Sequence, residues 1–149
     1  MKTLTFYRLL FFFSFFFTLF SVKAQQEIKA KKYDNPQWVT VVLIKFGANK
    51  YSRAKEIITN FFEKAGQKAG TASPFLTLDI MTGEWDMMLT WDMKNGLEEM
   101  NWETSPDDVK WMKTMGEILG GSDKAKAIID EYSSLIIRTT TYIAKKSQL

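Results

Sequence analysis

The chain has no cysteine and no histidine, and only three prolines in 149 residues. Without cysteine there is no disulfide, no thiol nucleophile and no residue to take a lipid. Without histidine the commonest general base near neutral pH is missing, and with both absent nearly every zinc site type is closed. A calcium site needs six or more oxygens in a looped arrangement, and the acids here are not spaced for one, so no metal and no cofactor is expected. Any chemistry has to use carboxylates, Tyr, Lys, Arg or an oxygen-ligated cation. No constellation of these meets the requirements of a catalytic site, and catalytic residues stay unassigned.

Long apolar runs are confined to the N-terminus. MKTLTFYRLL carries Lys2 and Arg8, the run over 9–20 is almost purely apolar, and SVKA puts Val22 and Ala24 at the −3 and −1 positions of a cleavage site. This pattern predicts a signal peptide over 1–24, cleaved after Ala24, and a secreted or periplasmic protein. A spanning helix needs about 20 apolar residues, and Ser21 and Lys23 end this run sooner, so no stable membrane insertion is expected after cleavage. Removing 24 residues from 149 leaves 125, a single domain by size. Lys2, Arg8 and Lys23 leave with the signal, taking the 20 basic residues to 17, level with the 17 acidic ones. The formal net charge of +3 therefore belongs to the discarded segment. The positive footprint of a nucleic-acid binder is missing.

Residues 25–37, QQEIKAKKYDNPQ, are polar with Pro36 near their end, and read as a flexible arm leading into one α+β domain over 38–149. WVTVVLIKF, 38–46, is β-branched and almost continuously apolar, as a central strand would be. From Ser52, a candidate N-cap, the spacing turns helical. Ala54, Ile57, Ile58, Phe61, Phe62, Ala65 and Ala69 form one stripe, and Gly70 is a stop. FLTLDIM and EWDMMLTWDM form two strands about a tight turn at Thr82-Gly83. LEEMNW suits a short helix. SPDDVKWMKTMGEIL suits a firmer one, capped by Ser105 with Pro106 in its first turn and ended by Gly120-Gly121. SDKAKAIIDEYSS follows with Ser122 as a cap, and LIIRTTTYIAKK from Leu135 is a last strand.

This order is β-α-β-β-α-β, a split βαβ arrangement with one four-stranded antiparallel sheet and helices on one face. Right-handed crossovers put the first strand beside the third and the fourth. In element order, from Trp38 to about Lys146, the chain resembles the ferredoxin-like dimeric α+β barrel superfamily, in which two such sheets pack face to face. The resemblance implies a homodimeric barrel. It brings in a superfamily of cofactor-free oxygenases, isomerases, haem enzymes and small proteins of undefined role, of which the haem branch is closed to a chain without histidine.

A two-residue turn at Thr82-Gly83 pairs Asp79 with Asp86, Leu78 with Met87 and Leu76 with Leu89. That register gathers Leu76, Leu78, Ile80, Trp85, Met87, Leu89 and Trp91 under the helices, which a slip of one residue would undo. The opposite face then carries Thr77, Asp79, Asp86 and Met88. Arg138 and Tyr142 share a parity on the last strand and line the same surface. These six residues are the ligand-binding candidates. Two like charges directly opposed are unfavourable, so water, a shared proton, a cation, or Arg138 or Lys45 has to relieve Asp79 and Asp86.

Three function classes follow. The first is an exported, non-catalytic domain that binds a small, partly apolar molecule or a partner. The second is a cofactor-independent oxygenase or isomerase of the dimeric barrel type, with Asp79, Asp86, Arg138 and Tyr142 as its polar set. The third is an interaction module whose insert, 94–134, docks onto another envelope protein. The export reading is checked by intact mass after expression in a secretion-competent host. The protein is expected to begin at Gln25, and a full-length chain in the membrane fraction would overturn it.

Overall fold

The computed structural model describes residues 28–147, so the signal segment and 25–27 lie outside the described residues. The chain divides into two units, Met1–Asp34 and Asn35–Leu149. Of the first, 28–34 are exposed and without helix or strand, with Lys31 Nζ 3.6 Å from Asp34.

The second unit begins with β1, Trp38–Phe46. A continuous helical stretch follows, made of α1 (Tyr51–Ile57), a π turn (Ile58–Phe62) and α2 (Glu63–Ala69). Then come β2 (Leu76–Asp79), β3 (Met87–Met93), a 3₁₀ segment (Gly96–Asn101), α3 (Pro106–Leu119), α4 (Ser122–Ser134) and β4 (Ile136–Lys145). The sheet order is β2-β3-β1-β4, antiparallel throughout. The near-continuous apolarity of β1 has its reason here, since β1 is paired on both sides and its Ile44 and Phe46 are buried under the helices.

The core forms where the helical stripe meets the sheet. Ala54 and Ile57 pack with Ile44, Phe46, Met87, Leu89 and Leu135. A second cluster of Ala65, Met115 and Ala125 lies between helices, and Phe61, Phe62 and Ile128 pack against both. Trp111 belongs to it as well, with its Nε1–H donating to the Phe62 carbonyl at 3.2 Å and its ring edge-on to Phe62 at 5.3 Å. Arg53 joins α1 to α4, donating from Nε and Nη2 to the Glu131 carboxylate at 2.7 and 3.0 Å.

The helix ends divide by chemistry. Ser105 caps α3 as expected: its Oγ accepts from Asp108 N–H while the Asp108 carboxylate accepts from Ser105 N–H. Gly70 and Gly120 end their helices with φ of 66° and 76°, a left-handed conformation that glycine adopts without strain. Ser52 and Ser122 are not caps. Lys50 and Gly121 precede these helices without a side-chain cap bond, and both serines lie inside them.

The hairpin differs most from its expected form. Leu76 pairs with Thr90, Thr77 with Leu89, Leu78 with Met88 and Asp79 with Met87, one residue displaced from the tight-turn register. The strands are joined by the longer segment 80–86, closed by Ile80 N–H donating to the Asp86 carbonyl at 2.9 Å. Directly opposed residues share a face, so the slip moves Leu76 and Leu78 off the helix side, where they are 38% and 45% exposed. Asp79 no longer faces Asp86, and the like-charge contact is relieved by separation. On the core side Met87 is fully buried. Met87→Ala is expected to cost about 2–5 kcal/mol and Ser105→Ala about 1 kcal/mol in urea unfolding. A loss near zero for Met87→Ala would place Met87 outside the core.

Candidate functional site

The sheet surface opposite the helices is built of cross-strand rows. One row is Leu76, Thr90, Val41 and Tyr142, and the next is Leu78, Met88, Leu43 and Thr140. Together they make an apolar belt across all four strands. At its edges Leu76, Leu78 and Tyr142 are exposed.

The belt ends in charges at both sides. At one end Lys45 lies opposite Arg138. Lys45 Nζ donates to Asp86 Oδ1 at 2.8 Å, and Phe46 N–H donates to Asp86 Oδ2 at 2.8 Å. Arg138 pairs with the Glu84 carboxylate and stacks on Trp85, its Cζ 4.5 Å from the ring centre. At the other end Lys146 Nζ lies 2.5 Å from Asp92 Oδ1 and 4.3 Å from the centre of the Phe75 ring. Each carboxylate named here has its own cation, so the two ends are locally neutral.

The slip of β2 divides the six candidate residues between the two faces. Asp86, Arg138, Tyr142 and Met88 lie on the open face. Thr77 and Asp79 lie on the helix side of the edge strand, opposite Leu89 and Met87. Asp79 meets α1 there, accepting from Lys55 Nζ at 2.6 Å. The Tyr51 hydroxyl is buried beside Asp79 without a well-formed hydrogen bond.

Both aspartates are held below the usual carboxylate range. For Asp86 the main cause is the Lys45 hydrogen bond, then the Phe46 N–H. For Asp79 it is Lys55, then the Tyr51 hydroxyl. Burial, reinforced by Asp79, raises the Tyr51 phenol, and burial pushes Tyr132 up to about 12. These shifts move the aspartates and phenols further from neutrality, the opposite of what a proton-transfer group near pH 7 needs. Among the described residues no cluster of acids is placed to hold a metal, and no helix is long and apolar enough to cross a membrane.

Sequence reasoning named Lys45 as a partner for the acids but missed Lys55 and Lys146. Lys146 had a signal, since it continues the parity of Tyr142 on the last strand. Lys55 had none, because it reaches Asp79 only when β2 is shifted. Trp85, assigned to the core with Trp91, is half-buried beneath Arg138 instead.

No family model and no curated protein matches the chain. Among solved structures it is similar to a NIPSNAP family protein with unknown function from Agrobacterium tumefaciens, with 8% identity and a TM-score of 0.53, over 80% of this chain and 96% of that one. It is also similar to a second NIPSNAP family protein from that organism, with 12% identity and a TM-score of 0.49, over 80% and 93% of the two chains. A dimeric ferredoxin-like protein from an uncultured marine organism follows at 7% identity and a TM-score of 0.46, over 77% and 91%. At such identities likeness speaks for the fold alone. With its strand order and helices on one face, the chain has a ferredoxin-like α+β fold.

Proposed function

We propose that the protein is an exported, non-catalytic binding domain that works as a homodimer, two copies closing their open sheet faces over one another and holding a small, partly apolar ligand or a partner against the belt. The observation that carries this reading is the belt itself, with Leu76, Leu78 and Tyr142 exposed on a sheet face that the helices leave uncovered. Contiguous exposed apolar surface calls for a partner. A two-fold contact brings each patch against its own copy, and the local neutrality at both ends removes the repulsion that a copy would otherwise meet.

The enzyme reading finds less support. Asp86 and Arg138 are each committed to an ion pair, and Asp79 lies on the other side of the sheet. A carboxylate locked to a lysine and acidified by it is a poor base and cannot act as an acid at neutral pH.

Light scattering at low micromolar concentration is expected to give twice the mass of one chain, falling to one on Leu78→Glu. A wild-type monomer unchanged by dilution would overturn the dimer. Native mass spectrometry of the protein from its own cells reads the retained ligand directly.

The ion pairs also set a pH dependence. Because the folded-state pKa values of Asp79 and Asp86 lie below their unfolded values, their stabilisation is complete above the ordinary carboxylate value of about 4 and is lost as pH falls through the lowered folded values. Urea midpoints are expected to hold level from pH 7 to 5 and fall below 4. In Asp86→Asn the fall should be shallower, with neutral-pH stability lower by roughly 1 kcal/mol, discounted for the partial exposure of the pair.

A further inference from the structure

The two edges of the sheet are unequal. β2 closes one edge with four residues, whereas β4 offers ten along the other, and among the described residues no strand pairs with its outer side. Such an edge presents a row of unpaired backbone N–H and C=O groups, which only another extended backbone satisfies in full. A bulge leaves Ile137 as an extra residue near its start, where Lys45 pairs with Arg138 and Phe46 with Ile136. Beyond it the strand is regular, no proline interrupts it, and its middle, Thr139-Thr140-Thr141, is uncharged.

We propose that β4 pairs antiparallel with β4 of a second copy, centred on Thr140, so that two sheets join edge to edge. The strand is complementary to its own reverse about that residue. Thr139 comes opposite Thr141, Arg138 opposite Tyr142, and Ile137, at the bulge, beside Ile143. Ile137 and Ile143 are 69% and 37% exposed in one copy, and this register places each against the other. Thr pairs and cation–aromatic pairs are among the favourable cross-strand contacts. No like charges meet.

The neighbouring registers do worse. Directly opposed residues must point to the same side of the sheet, so the centre moves one residue at a time and each pairing shifts by two. Centred on Thr141, Ile137 meets Lys145. Centred on Thr139, Ile143 meets Leu135, which is already buried in its own core. Only the Thr140 centre pairs the two exposed isoleucines.

This contact is separate from the one between open faces. Thr139 and Thr141 pair with Ile44 and Val42, residues of the helix side, and both are exposed. They therefore point away from the belt. The chain has no cysteine, so Thr139→Cys and Thr141→Cys each introduce the sole thiol. Mixed in equal amounts under mild oxidation, the two variants are expected to form the mixed disulfide about tenfold faster than either forms its own, because directly opposed Cβ atoms lie near disulfide distance. The edge contact rests on backbone hydrogen bonds with little apolar burial and is weaker than the open-face contact, forming only above the low micromolar range, so the mixing is done at high protein concentration. There the same preference is expected in the Leu78→Glu background, where loss of the open-face contact leaves the edge intact. A mixed disulfide formed only at its statistical share, or a faster disulfide of either variant with itself, would overturn the pairing. Loss of the preference in Leu78→Glu alone would assign the cross-link to the open-face dimer and overturn it too.

Discussion

Asp86 fastens three strands at one point. Its carboxylate accepts from Lys45 Nζ and Phe46 N–H, its own N–H donates to the Ile44 carbonyl at 3.0 Å, and its carbonyl accepts from Ile80 N–H. The start of β3 is thereby tied to the end of β1 by backbone and side chain together, and the residue just past β2 is tied to both. A charged acceptor makes shorter, stronger hydrogen bonds than a neutral one. With Asp86 occupied in this way, Asp79 cannot sit opposite it without setting two carboxylates together. β2 instead takes a place one residue along, where Asp79 finds Lys55 on α1.

The open face follows from that displacement. In the tight-turn register Leu76 and Leu78 would have deepened the core, and the far side of β2 would have carried Thr77 and Asp79. In the register adopted, two leucines join Val41, Leu43, Met88 and Tyr142 on the uncovered side, and the polar pair moves to the helix side of the edge. A partly polar surface becomes a continuous apolar belt with charge only at its ends. Those end charges are spoken for: Lys45 by Asp86, Arg138 by Glu84, Lys146 by Asp92. A partner meets an apolar middle with neutral margins, a surface suited to a second copy and ill suited to a strongly charged ligand.

The architecture was legible because its signals are local and periodic. The 3.6-residue stripe from Ala54 to Ala65, the β-branched run of β1 and the Ser105 capping box each carry their reason within a dozen residues, and each appears where it was read. Strand order came from connection handedness, a general constraint rather than a residue pattern. The hairpin misled for a physical reason. Periodicity favoured gathering every large aliphatic side chain on one face, whereas the fold weighed that gain against two opposed carboxylates, and Lys45 and Lys55 lay too far along the chain to enter a local argument. The caps misled in a smaller way, since Ser52 and Ser122 have the right chemistry but are the second and the first residue of their helices.

The candidate site was legible residue by residue but not as a set. Arg138, Tyr142, Met88 and Asp86 share the surface foreseen for them, while one slipped strand carried Thr77 and Asp79 elsewhere. The slip carries a cost for an isolated chain. Without disulfides, the fold depends on two modest clusters, one under the sheet and one among the helices. The leucines withheld from them contribute only when something covers the belt. Stability and association are therefore coupled through β2. The substitution of Asp79 that would let β2 return to the tighter register would also enlarge the core at the expense of the belt, so this short edge strand sets how much apolar surface the domain keeps for itself and how much it presents to a partner.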